Sequence, residues 1–151
     1  ELPIDPYVLG CWLGDGSKSC GVLTNINPRV WEEIVNRGYS IGDNLSDENR
    51  AEMRTIYSIR GKLNDLGVLN HKFIPDLYMR ASYQQRLDLL RGLMDTDGYY
   101  HESRKRFVMG TTQEWQAKDL VKLVSTLGIK ATIFEVDKRC YKSLSASQLA
   151  T

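Results

Sequence analysis

One pattern is written twice in this chain, in frame and 82 residues apart: VLGCWLGDGSKS at residues 8–19 and LRGLMDTDGYYH at residues 90–101. Gly10 falls on Gly92, Gly14 on Thr96, Asp15 on Asp97 and Gly16 on Gly98. Such a repeat restricts the chain to folds built from two similar units. Read as helices, the segments place Gly10 with Gly14, and Gly92 with Thr96, four residues apart on one face. Small-residue faces of this kind let two backbones pack closely. Packing would bring both helix C-termini, and so Asp15 and Asp97, to one place. The glycine after each acid is expected to adopt a left-handed cap.

The order of elements repeats as well, although the residues do not. After the first Asp-Gly come a short hairpin ending in GVLTNI, a helix PRVWEEIVNRG, and strand-like YSIG and MRTIYSI. After the second come YYHESR and RFVMGTT, a helix EWQAKDLVKLVSTLG, and strand-like KATIFEV. Each half reads α-β-β-α-β-β, with Gly38 and Gly128 as helix stops and Gly67 ending a short helix before the turn at Pro75. The expected fold is α+β, with residues 1–80 as the first half and 81–151 as the second. The second half is expected to be truncated at its C-terminal end, and the whole to be one compact monomer.

Two carboxylates at helix C-termini are placed against the negative ends of the helix dipoles, where Lys or Arg would stabilise. Hydrated Asp-Gly turns are the bland explanation, but one in-frame copy in each half argues against it. Together with free helix-end carbonyls, those of Gly14 and Thr96 among them, the acids form an oxygen-rich site suited to a hard divalent cation. Charge is unevenly spread. Residues 1–98 hold 11 Lys and Arg against 14 Asp and Glu, and residues 99–151 hold 9 against 5, within a net charge of +1. This carboxy-terminal excess permits nucleic-acid binding. Three cysteines without CxxC spacing suggest neither a disulfide framework nor zinc. With no long apolar run and no basic-apolar leader, a cytoplasmic protein without membrane association is expected.

VLGCWLGDG and RGLMDTDG resemble the two signature motifs of the LAGLIDADG homing endonucleases. More specifically, LPIDPYVLGCWLGDGS, HKFIPDLY and TTQEWQAKDLVKLVSTLGI resemble, in order, blocks of the endonuclease domain carried by bacterial inteins. The resemblance covers nearly the whole chain. It implies a double-stranded DNA endonuclease using Mg2+, with Mn2+ as a substitute, and one acid from each motif helix, Asp15 and Asp97. Lys72 matches the family's lysine beside the acid, where an ammonium group would stabilise charge building on the phosphoryl oxygens. Asp95 reads as a neighbour or cap, and Cys11 as buried core.

A saddle made of both halves' strands is the implied DNA face. Arg104, Lys105 and Arg106 fall on the second hairpin; Lys18, Arg54, Lys130 and Lys138 fall on or beside other strands, as candidates for phosphate and base contacts. His101 is a further candidate for that face. The chain shows Glu1 and SQLAT where an intein would show a terminal Cys or Ser and a final His-Asn, so no self-splicing is expected from it alone. A flanking splicing domain in a parent protein would be its partner. Two other classes use this scaffold without cutting DNA: a decayed or binding-only DNA-binding protein, and an RNA maturase. Finally, Lys72 follows Asp15 by 57 residues, and the same step from Asp97 passes Thr151, so the second half is expected to lack its lysine.

Overall fold

In the computed structural model, which describes residues 1–47 and 50–135, both motif segments are helices. Helix α1 spans Pro6–Asp15. Pro6 at its start has no amide hydrogen to leave unpaired, and the Asp5 side chain caps it by accepting from Tyr7 N at 2.9 Å. All residues from Pro6 to Leu13 are buried, as the nearly unbroken apolar run requires. Helix α5 spans Tyr83–Asp97 and opens on a capping box. There Gln85 N donates to Ser82 Oγ at 3.1 Å, and Ser82 N donates back to Gln85 Oε1 at 3.0 Å.

The two helices meet at glycine. A Cβ on Gly10 would lie 3.0 Å from Gly92 Cα and run into the Leu89 carbonyl; one on Gly92 would lie 2.8 Å from Cys11 N. Any side chain at either position would therefore force the backbones apart, as the small-residue spacing predicted. Gly16 and Gly98 differ from expectation. Their φ/ψ values of −74°/150° and −110°/171° are extended rather than left-handed. Glycine is needed there for space, because a Cβ would strike the Trp12 ring in one case and the Met94 side chain in the other. Each helix thus runs straight on toward its strand. The left-handed stops lie elsewhere, at Gly38 (φ +94°), Gly67 (φ +77°) and Gly128 (φ +77°).

After α1 come β1 (Val22–Asn25), α2 (Pro28–Asn36), β2 (Glu52–Thr55), α3 (Arg60–Asp65) and α4 (Asp76–Met79). After α5 come β3 (Gly98–His101), β4 (Arg106–Met109) and α6 (Glu114–Thr126). Among the described residues the strands form two antiparallel pairs. In β1 and β2, Leu23 faces Arg54 and Thr24 faces Met53; in β3 and β4, Tyr99 faces Val108 and Tyr100 faces Phe107. The fold is α+β with short antiparallel sheets, but the halves hold fewer regular strands than α-β-β-α-β-β.

The first hairpin shrinks to one bridge, Gly16 to Leu23, and YSIG to another, Ile41 to Ile56. Past Ile41 backbone pairing goes on irregularly, Gly42 N donating to Thr55 O at 2.8 Å and Leu45 N to Met53 O at 2.7 Å, while Asn44 Oδ1 accepts from Ser46 N and Met53 N at 3.0 Å each and so competes with a regular ladder. Residues 130–135 of KATIFEV form no strand. β-branched residues favour a strand only where a neighbouring strand supplies hydrogen bonds, and none does so here among the described residues.

Around the helix pair the core gathers Ile4, Trp12, Leu23, Ile34, Tyr78 and Leu89, all essentially inaccessible. Tyr78 and Ile4 are joined both ways, the phenol donating to Ile4 O at 2.7 Å and accepting from Ile4 N at 2.9 Å. Arg37, at the end of α2, ties the halves together through Asp5 (3.0 Å), Glu33 (3.0 Å) and Asp88 of α5 (3.4 Å). Asp119 of α6 accepts from Ile74 N at 2.8 Å, fixing the HKFIP segment to the second half. Among the described residues no helix is long and apolar enough to cross a membrane.

Candidate active site

The glycine contact carries the two helix ends together. A Cβ on Gly14 would lie 2.9 Å from Thr96 Cβ and 3.5 Å from Asp97 Cγ, so the first motif's last turn touches the second motif's acid. Asp15 and Asp97 are close enough to share a hydrogen bond when one is protonated. Burial pushes the Asp15 carboxyl up to about 6; Asn25 opposes the shift by donating to it, and Asp97 adds to it by its charge. The burial and neighbouring charge that oppose ionisation of Asp15 are what a divalent cation would relieve.

Each acid is held by a buried carboxamide that sequence reasoning missed. Asn25 Nδ2 donates to Asp15 Oδ2 at 2.8 Å, and Gln116 Nε2 donates to Asp97 Oδ2 at 2.7 Å. Among the described residues these are the polar side chains found in the buried class, at 7% and 5% exposure. Asn25 is oriented in turn, its Oδ1 accepting from Asn27 N at 2.8 Å. A signal was present in both cases. Asn25 sits two residues after Leu23 on the inward side of β1, and Gln116 sits on the stripe of α6 that continues as Leu120, Leu123 and Leu127. A polar residue at an apolar position of either period asks for a buried partner.

Lys72 joins the site, with a geometry that gives it a second task. Its Nζ donates to the carbonyls of Gly16 (2.6 Å), Trp12 (3.1 Å) and Leu13 (3.3 Å), and lies 4.8 Å from the centre of the Trp12 ring. Burial lowers its pKa, while Asp97 and Asp15 pull it back up. Neither motif helix has a basic residue in its own last turn. Lys72 supplies the missing cation to α1 from outside the helix.

The Thr96 hydroxyl turns back on its own helix, donating to Gly92 O (2.9 Å) and Leu93 O (3.1 Å). Asp95 accepts from the Tyr7 hydroxyl at 2.7 Å and so is a neighbour. Cys11 is fully buried, and burial raises its thiol to about 12, which suits core packing rather than reactivity. Lys18, Arg104, Lys105, Arg106 and Lys130 are exposed. Arg54 is not free for a base: its guanidinium donates to Gly42 O at 2.8 Å and pairs with Glu52 at 2.9 Å. His101 accepts from Arg104 N at 3.2 Å and shapes the turn. Lys138 lies outside the described residues.

Among the described residues no three His, Cys, Asp or Glu side chains cluster as metal ligands. A cation here would rest on two carboxylates and on oxygens from the backbone or solvent, a donor set that fits Mg2+.

Residues 84–149, in the second half of the chain, match the family model of the LAGLIDADG-like domain. Its fold is that of the homing endonuclease I-DmoI. A variant of I-DmoI in complex with its target DNA and manganese superposes with a TM-score of 0.60 at 15% identity, over 89% of this chain and 81% of that one. I-DmoI in complex with DNA and calcium gives a TM-score of 0.59 at 16% identity, over 89% and 77%. A curated relative, the replicative DNA helicase DnaB of Mycobacterium intracellulare, is 33% identical over 131 residues. That match covers 86% of this chain and only 20% of the helicase's length.

Proposed function

We propose that this chain is a site-specific homing endonuclease that hydrolyses both strands of duplex DNA with a divalent cation, Mg2+ or, in its place, Mn2+. The observation that carries this reading is the convergence of Asp15 and Asp97 at the ends of two helices in glycine contact. Asp15 and Asp97, with the carbonyls of Gly14 and Thr96, would hold the cation. When bound, it neutralises charge developing on the phosphoryl oxygens and makes a water more acidic.

The chain's own residues prepare that site. Asn25 and Gln116 each hold one carboxylate oxygen, fixing the orientation of the acids. Lys72 balances the helix-end carbonyls and places positive charge beside both acids. The exposed cations Lys18, Arg104, Lys105, Arg106 and Lys130 would engage phosphates, which contribute affinity without sequence information.

The match to a stretch of a much longer helicase supports an origin as an insertion in such a host, of intein type, with a splicing domain as its neighbour in the parent chain. The test is to incubate the protein with a randomised duplex library with and without Mg2+, and to sequence cut and bound molecules. Cleavage at one recurrent site in Mg2+ is expected. Binding without cutting in any divalent cation would leave the decayed, binding-only form as the better account.

A further inference from the structure

We propose that the strand surface of this protein reads thymine methyl groups through an aromatic pair, Tyr100 and Phe107, with the basic turn beside them holding phosphates. The inference rests on the DNA-binding reading above and adds to it the chemistry of base recognition.

Directly opposed residues of an antiparallel pair share a face, and alternate pairs share the opposite one. Val108 at 4% exposure and Leu23 at 0% mark the inward faces of the two hairpins. The outward faces therefore carry Tyr100 with Phe107, and Thr24 with Met53. No charged or carboxamide side chain stands at any outward position of either registered ladder. Arg54 shares the inward parity with Leu23, whereas Arg106, opposite His101, is exposed at the turn end of its strand. The remaining cations of the second hairpin, Arg104 and Lys105, lie in the turn between the strands.

The outward parity of the paired strands thus holds none of the side chains that hydrogen-bond base edges in pairs, Arg or Lys for guanine and Asn or Gln for adenine, and the exposed Arg106 stands beside it at the turn. What it offers is apolar. Phe107 is 72% exposed and Tyr100 46%, their rings packed edge to face with centroids 5.1 Å apart. The thymine C5 methyl is the apolar group that the major groove presents, and Phe is among the side chains that meet it. The flanking turn cations supply charge complementary to the phosphates on either side.

The test starts from duplexes selected by the full chain from a randomised library in EDTA. Each thymine of the selected site is replaced singly by deoxyuridine, which removes the methyl and nothing else. Affinity is measured by fluorescence anisotropy for the wild type, Phe107→Ala and Tyr100→Ala. At one or more positions the wild type should lose about four-fold in affinity per methyl uncovered, and Phe107→Ala should be indifferent to the same replacement. Because Phe107 is largely exposed, its circular dichroism and melting should match the wild type. If deoxyuridine is neutral everywhere, or the loss persists in both variants, the inference is overturned while DNA binding stands. If no duplex is enriched at all, the DNA reading falls and this one with it.

Discussion

The ammonium group of Lys72 lies 2.6 Å from the carbonyl oxygen of Gly16, across a sequence separation of 56 residues, and closes the end of the helix that presents Asp15. A single side chain thus serves the helix dipole and the charge balance of the acids.

Replacing Lys72 by Met should therefore lower stability as well as activity. The carbonyls of Gly16 and Leu13 lose the ammonium donor while Trp12 O keeps Gly16 N, and a cation near a helix C-terminus contributes about 1 kcal/mol, up to about 2 in partly buried settings. The loss should appear as a lower denaturation midpoint at unchanged slope in urea. A variant that unfolds like the wild type but fails to cut would assign Lys72 to chemistry alone.

Asp15→Asn and Asp97→Asn should each abolish Mg2+-dependent cleavage and leave binding in EDTA intact or tighter. Both changes keep the volume and remove a charge that repels phosphate when no cation is present. Gel shift and plasmid cleavage on the same preparations separate the two effects. Cutting at the wild-type rate by either variant would reduce that acid to a helix cap.

Protonation of Asp15 sets a pH window. Its folded-state value of about 6 lies above the ordinary 3.8, so the folded protein binds more protons than the unfolded chain between those limits. The Asp15 contribution to stability should accordingly be greatest near pH 4 and be lost as pH rises through 6, in the absence of metal. Metal affinity should run the other way, weakening as pH falls below about 6, because the cation competes with that proton. Isothermal titration with Mn2+ at pH 5 and 7, paired with melting curves in EDTA, checks both signs. Replacement by Asn should remove both trends.

Cleavage of the two strands should be unequal. Lys72 crosses the end of α1, whereas no described residue closes α5 in the same way, so one scissile phosphate would meet a nearby ammonium group and the other would not. A supercoiled plasmid carrying the target should accumulate open circles before linear product in Mg2+. Direct linearisation without a nicked intermediate would show that a second cation serves the other site.

The glycine contact and the meeting of the acids were legible because backbone proximity depends on the absence of side chains, which spacing reveals. Gly10 with Gly14 and Gly92 with Thr96 could be read without knowing the partner surface. The roles of Asn25 and Gln116 could not. Both are common polar residues whose partners are ten and nineteen residues away, and only the packed helix pair brings Asp15 and Asp97 over them. The contacts of Arg54 were not legible for a related reason: register sets it opposite Leu23, where its guanidinium meets Glu52 and Gly42. The short strands were overestimated because propensity is local, while ladder length depends on a neighbour's register.

Where Gly10 meets Gly92, no side chain stands between the two halves to be enlarged, shortened or repacked. The approach of the two helices at that point is therefore gauged by main chain alone. Residues on the outward strand faces lie on separate elements and can drift without resetting that gauge. Substitutions on the strand faces can therefore accumulate while the distance between the two helices at this contact stays constant.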